Sequence, residues 1–285
     1  MLALTTPIIN LLQSDTTILI AVTGMIGLCI GSFLNVVIYR LPKMMEIEWK
    51  QNYSPEESPE TKFNLATPAS SCPHCGHRIG ARENIPVFSY CWLKGKCSRC
   101  KTSISLRYPI IELLSALSTA LSFWHFGYSS TAVAASIFIL ALITLTAIDL
   151  DTHLLPDAIT LPLLWLGLLF NLNEGFIDIR SAVIGAVLGY LILWSVYWLF
   201  KLVTKKEGMG YGDFKMLAAI GAWFGWQSLP AVILISSLAG SIVGVAMMTL
   251  GKYHRHHQIP FGPFIASAAV VILFSDSQIS RIYLG

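Results

Sequence analysis

The stretch "IFILALITLTAIDLDTHLLPD", residues 137–157, runs through uncharged residues from Ile137 to Ile148 and then meets Asp149. Apolar on every face, it has no polar side to present to water. It reads as the end of a membrane-crossing helix, with the carboxylate at the boundary. The rest of the chain agrees. Of 285 residues, 54% are hydrophobic and only 12% charged, about half the charged share of a soluble domain. Mean hydropathy is +0.64.

Working outward, apolar blocks fall at 17–39, 109–126, 131–148, 157–171, 181–200, 213–226, 229–249 and 260–275. The fold expected is an all-α polytopic membrane protein with about eight transmembrane helices. Two blocks are short: the fourth contains Pro162, and the sixth is interrupted by Gly221 and Gly225. Such breaks are tolerated where neighbouring helices cover the backbone, so seven spans plus a re-entrant segment is the alternative.

Lys and Arg set the orientation. The first sixteen residues carry none, and the segment from Arg40 to Arg107 carries eleven. With that segment in the cytoplasm, 17 of the 19 Lys and Arg lie on the cytoplasmic side, and only Arg180 and Arg281 fall outside. Both termini are then expected outside. The opening block "MLALTTPIINLLQSD" lacks the basic start and cleavage site of a signal peptide. Net charge of +3 reflects this topology and anionic lipid, and no nucleic-acid-binding motif is visible.

The domain organisation expected is a first transmembrane segment over 1–40, a cytoplasmic insert over 41–107 and a membrane-embedded core over 108–285. Within the insert, 43–70 is polar and rich in Pro, Ser and Glu, and reads as a loop. Residues 71–101 differ. Cys72-x2-Cys75 and Cys97-x2-Cys100 each offer two thiolates from one tight turn, and together they complete a tetrahedral zinc site. A small zinc-ribbon-like four-cysteine module between helices 1 and 2 follows, with four unconnected or redox-active thiols as the alternative. Four cysteine ligands leave no open coordination position, so the metal is structural. Cys29 reads as a small core residue, Cys91 as a spare thiol, and His74 and His77 as neighbours of the metal rather than ligands.

The chemistry must come from elsewhere. Asp149 closes the third block, and Asp213 opens the sixth in "GMGYGDFKML", 208–217. Topology alone puts both at the cytoplasmic boundary. Two carboxylates in one site share a proton near neutrality. Such a pair can activate water and protonate a peptide carbonyl without a metal. Gly208, Gly210 and Gly212 are expected to give a tight backbone turn into the helix, Lys215 to snorkel to headgroups, and Asp157 to cap the fourth helix. Boundary aspartates are also common as caps or interfacial residues, and spacing does not decide between these readings.

Several motifs together carry a resemblance: "GSFLNVVIYRLP" (31–42), both cysteine pairs, "ENIP" (83–86), "GKCSRCK" (95–101), "RYPIIE" (107–112), "DLDTHLLPD" (149–157) and "GYGDFK" (210–215). The chain resembles the bacterial type IV prepilin peptidase and N-methyltransferase family, whose GxGD motif also marks other intramembrane aspartyl proteases. That resemblance implies that Asp149 and Asp213 are the catalytic pair. The implied substrates are prepilins and pseudopilins, each with a basic leader and an apolar N-terminal helix. The implied second activity is methylation of the freed N-terminus from S-adenosyl-L-methionine, with Gly95 matching a glycine linked to methylation. No methyl-donor pocket is readable from the residues; Glu112, Asn35 and Arg40 are the polar residues singled out. The alternatives are a zinc-stapled transporter or scaffold, and a peptidase lacking methyltransferase activity.

Overall fold

The structure, a computed structural model, describes residues 9–53, 63–173, 175–206, 208–250 and 259–284. Three sequence features lie outside them: the glutamates of 54–62, the Lys252–Arg255 cluster and the Arg281 side chain. The chain divides into two compact units, Met1–Thr144 and Leu145–Gly285. Their named elements are all helical.

In the first unit, α1 (Thr16–Tyr53) starts where the Asp15 carboxylate accepts the amides of Thr17 and Ile18 at 2.8 and 3.2 Å, an N-cap. A short helix, α2 (Phe88–Trp92), and then α3 (Arg107–Phe126) follow. Gly24 faces Ala120, Gly27 faces Ser115 and Ala116, and Gly31 faces Glu112, so α1 and α3 run antiparallel. A Cβ on Gly27 would sit 2.7 Å from the Ser115 carbonyl oxygen, and one on Gly31 2.8 Å from the Glu112 Cα. Helices in lipid gain nothing from mutual apolar burial alone. Close backbone approach at small residues supplies the dispersion contact instead. Cys29 points away from this glycine strip and is exposed, not the core residue the sequence suggests.

The helix also outruns its expected end. Pro42 lies inside α1, which continues to Tyr53 where the sequence reads as loop from 43. Pro removes one helical hydrogen bond. The segment beyond it is rich in helix formers and carries a Glu46–Lys50 pair at 2.7 Å one turn apart, which favours continuation.

α4 (Ser130–Thr152) crosses from one unit into the other. The second unit continues with α5 (Asp157–Asn171), α6 (Ile179–Thr204), α7 (Tyr211–Phe224), α8 (Leu229–Thr249) and α9 (Gly262–Leu284). Its centre is α7, 14 residues long and so about 21 Å, buried on nearly every side from Asp213 to Phe224. α5, α6 and α9 pack around it. Gly185 of α6 and Gly221 of α7 meet backbone to backbone, and a Cβ on Gly189 would lie 2.6 Å from the Leu217 carbonyl oxygen. Trp223 fills the notch left by Gly167 of α5 and donates its indole N–H to the Leu163 carbonyl at 2.8 Å.

At the far end of α7, the Asn171 amide donates to the carbonyls of Ala222 and Trp223 at 2.9 and 3.0 Å. Its oxygen accepts the amides of Phe176 and Ile177. One buried side chain thus ties the end of α5, the following loop and the end of α7.

α1 and α3–α9 lie where the eight apolar blocks were expected. Four described segments are long and apolar enough to cross a membrane: Thr16–Asn52, Ser130–Thr152, Ile179–Thr204 and Trp226–Thr249. Asp157–Asn171 and Gly262–Ser275 are apolar but shorter. The outward faces of α1 and α8 carry exposed Met25, Ile26, Phe33, Leu234, Leu238 and Ile242, as a lipid-covered surface does.

Candidate active site and metal centre

Both aspartates fall in the second unit, at opposite ends of their helices. Asp149 lies in the last turn of α4 and Asp213 in the first turn of α7. They are 5% and 7% exposed. Asp213 lies within coulombic reach of the Asp149 charge.

Leu155, in the turn after Asp149, packs against glycines beside both. A Cβ on Gly212, beside Asp213, would come within 2.6 Å of the Leu155 Cβ. A Cβ on Gly262 would meet Leu155 Cδ2 at 3.5 Å and Asp149 Oδ2 at 2.6 Å. Gly212 is therefore needed for close packing. Among 208, 210 and 212 none has a positive φ, so the entry into α7 does not draw on glycine's left-handed range. Gly210 has room for a Cβ, with its nearest atom at 3.9 Å.

Aromatic packing fixes the start of α7. Tyr197 of α6 meets Tyr211 and Phe214 of α7 at centroid distances of 5.2 and 5.7 Å. Tyr190 meets Phe214 edge to face at 5.9 Å. Lys215 does not snorkel: its Nζ lies 2.6 and 2.7 Å from the two Asp157 carboxylate oxygens. Asp157 is not the cap of α5 either, because Pro156 holds that position and Asp157 begins the first turn. The pair ties the start of α5 to the start of α7. Asp151 is exposed.

One participant was missed from sequence. The Gly262 amide, at the first residue of α9, donates to Asp149 Oδ2 at 3.0 Å in a buried contact. The only local signal was "FGPF" (261–264), with a proline just inside a helix start.

The first unit holds the cysteines. The four sulfurs of Cys72, Cys75, Cys97 and Cys100 lie within 4.8 Å of one another. Cys72–Cys100 is 3.8 Å and Cys75–Cys97 4.0 Å, far longer than a disulfide. A tetrahedral metal with about 2.3 Å bonds to sulfur needs sulfurs about 3.8 Å apart, so the donor set fits.

Two similar turns build it. The Cys72 amide donates to the His77 carbonyl at 2.9 Å, and the Cys97 amide to that of Thr102 at 2.8 Å. Each turn is flanked by an antiparallel bridge, Ser71–Arg78 and Lys96–Ser103. Gly76 and Lys101 take the left-handed position after the second cysteine of each pair, at φ +68° and +61°.

The thiols divide the charge unevenly. Hydrogen bonds from the Thr102 side chain and backbone bring Cys100 down to about 6, and the backbone amides of His74 and Cys75 lower Cys72. At Cys75 the His77 amide favours the thiolate, but lost hydration and the neighbouring sulfurs push the group up to about 11. A cation among them would let all four ionise, releasing protons. His77 faces Glu83 at 3.1 Å rather than the sulfurs. Ser98, the Gly80 amide and His77 together hold Glu83 down at about 2. Cys91 is exposed and outside the cluster.

Gly95 has φ +67°, and a Cβ there would sit 2.7 Å from the Tyr90 hydroxyl. Its amide donates to the Tyr90 carbonyl and its own carbonyl accepts from Ile104. Glycine is thus required to fold the second turn. The other polar residues singled out are tethers. Glu112 accepts the Val87 amide at 2.7 Å, Asn35 donates to the Tyr108 carbonyl at 3.1 Å, and Arg40 donates to the carbonyls of Asn64 and Pro68 at 2.9 and 2.6 Å.

A helical membrane protein with two buried aspartates at helix ends and a separate four-cysteine cluster defines a recognisable class, and comparison with known proteins narrows it. Residues 25–126 match the bacterial peptidase A24 N-terminal domain, and residues 136–245 match the type IV leader peptidase family. A prepilin leader peptidase/N-methyltransferase of Aeromonas hydrophila is 52% identical over 264 residues, 90% of this chain and 91% of the relative. The protein of that description from Pseudomonas aeruginosa is 50% identical over 284 residues, 98% of each. One from Aeromonas salmonicida is 51% identical over 266 residues, 91% of each. No solved structure matches the chain. The chain belongs to the type IV leader peptidase family.

Proposed function

We infer that this protein removes the leader peptide of type IV prepilins and pseudopilins and N-methylates the residue thereby exposed. Family membership carries that reading, with relatives of the same description aligned over nine-tenths of the chain or more. The observation that carries the chemistry is the packing of Leu155 against Gly212, the neighbour of Asp213, and against Gly262, which donates to Asp149, with both aspartates buried.

We assign them the cleavage step. With one proton shared, the ionised carboxylate takes a proton from water as its oxygen bonds to the scissile carbonyl carbon. The protonated carboxyl gives its proton to the carbonyl oxygen. On collapse of the resulting diol, the C–N bond breaks. The nitrogen takes the proton held by the first carboxyl, and the second carboxylate recovers one from the diol. The leader leaves with a carboxyl terminus and the pilin with a free amine.

The membrane arrangement follows the Lys and Arg distribution: eight crossings in the inner membrane, the insert 41–107 in the cytoplasm, the core 108–285, and the aspartates at the cytoplasmic boundary. A prepilin presents its basic leader to the cytoplasm and its apolar helix to lipid, so the scissile bond lies at that depth. Carboxylates gathered at helix ends also argue against transport, which places polar groups near the midplane.

In the module 71–101, Cys72, Cys75, Cys97 and Cys100 would hold zinc, which closes the two turns into one folded unit and takes no part in cleavage. S-adenosyl-L-methionine is the methyl donor expected from the family. Substitution of Gly95 would act on methylation through the fold of the second turn.

Intact-mass measurement of a prepilin-like substrate, incubated with the reconstituted enzyme and S-adenosyl-L-methionine, tests both activities. The wild type should yield a product lacking the leader and carrying one added methyl group, and Asp213→Asn should leave the substrate whole. Cleavage by folded Asp213→Asn would sink the two-aspartate reading.

A further inference from the structure

We propose that Gly262 is a positioning residue of the active site: its backbone amide holds Asp149 as the ionised, water-activating carboxylate, which leaves Asp213 as the proton donor. The inference rests on the reading of Asp149 and Asp213 as the catalytic pair and goes beyond it by breaking their symmetry.

The geometry is specific. Gly262 N–H donates to Asp149 Oδ2 at 3.0 Å, in a contact closed to solvent and between residues 113 apart in sequence. An amide donates more strongly to a carboxylate oxygen than to the carbonyl oxygen of the neutral acid, so the contact favours the charged form. A side chain at 262 would displace the carboxylate, because its Cβ would stand 2.6 Å from that same oxygen and 3.2 Å from the Asp149 Cγ. The space a side chain would take is filled by the carboxylate itself.

Among the described residues, the charged groups facing Asp149 are few. Asp213 approaches from α7, and His153 stands in the turn that follows Asp149. From α9 the first turn, "GPF", offers no titratable side chain. The next charged residue of α7, Lys215, is held by Asp157. Two neighbouring carboxylates resist double ionisation; the Gly210 amide also reaches Asp213, but the buried 3.0 Å contact from Gly262 keeps the charge on Asp149 and leaves the proton on Asp213. In the cleavage step, Asp149 then accepts the proton of the attacking water and passes it to the leaving amine. Asp213 gives its proton to the carbonyl oxygen and recovers one when the diol collapses.

The test uses the full-length enzyme in lipid nanodiscs and a prepilin-like peptide, with kcat and KM measured across pH. In Gly262→Ala the new Cβ displaces the carboxylate from the amide; in Gly262→Pro the amide proton is gone. Both should lower kcat about tenfold with KM changed less than about twofold. Both should also move the acidic limb of the profile to higher pH by about one unit, Pro more than Ala, since a carboxylate that loses a charge-assisted donor ionises less readily. An unmoved acidic limb, or movement of the basic limb alone, overturns the assignment and makes Gly262 a packing residue.

A second measurement needs no change at 262. The infrared carbonyl band of a protonated carboxyl in the wild type should vanish in Asp213→Asn and persist in Asp149→Asn. The reverse pattern overturns the proposal. Failure of the underlying reading looks different: Asp149→Asn or Asp213→Asn, folded, would still cleave.

Discussion

The four cysteines and the two aspartates are both drawn from separated positions, yet they are held by different forces. Each cysteine pair is set by its own turn, and only the 21 residues between Cys75 and Cys97 must close to unite them. Among the cysteines only Cys97 is buried, so the cluster is held by its two turns rather than by a packed core. The aspartates are 64 positions apart and nearly closed to solvent. Helix packing through glycine notches at 167, 185, 189, 212, 221 and 262 holds them. A chelated cluster is a local device; a packed one depends on every helix around it.

Changes at each end of this comparison should separate the two. Cys97→Ser carries the largest expected effect. Metal analysis should fall from one bound zinc per chain to none, and limited proteolysis should open residues 71–101, since structural zinc contributes on the order of 10 kcal/mol. The packing of α7 should survive, and cleavage should suffer less than in Asp213→Asn. Collapse of the second unit in the same variant would break the comparison.

Gly221→Leu comes next. Its side chain would have to enter a contact between two backbones, where no rotamer change gives relief, at a cost of about 3 kcal/mol or more. A clear drop in Tm is expected with zinc content unchanged.

The smallest effect concerns acid. Glu83 ordinarily titrates near 4.5 and is held at about 2 in the fold. Its folded value is depressed, so its contribution is present above about 4.5 and is lost as pH falls towards about 2. The module of a Glu83→Gln variant should therefore lose less stability over that window than the wild type, read by its near-ultraviolet circular dichroism.

The helices were legible because apolar blocks of membrane length leave the backbone no other way to satisfy its hydrogen bonds. The four-cysteine cluster was legible because paired-cysteine spacing is a local signal. Asp149 and Asp213 stood out because a carboxylate inside or beside an apolar block is costly without a purpose. The stretch from 43 misled as loop, because the helix formers in it outweigh the single hydrogen bond lost at Pro42. Lys215 misled too, since a lysine beside a membrane span looks the same whether it meets headgroups or Asp157.

Gly262 had no sequence signature strong enough to mark it. Its part depends on α9 returning to the end of α4, which no local pattern encodes. Composition and spacing by themselves determined the membrane class, the metal-binding turns and the candidate carboxylates, because each follows from interactions among near neighbours or with solvent. Only the tertiary structure decided that Leu155 packs against Gly212 and Gly262, that Tyr90 demands glycine at 95, and that an amide from the last helix touches one aspartate. Those contacts arise from packing between distant segments, and their specificity lies in ångström-scale fit rather than in residue type.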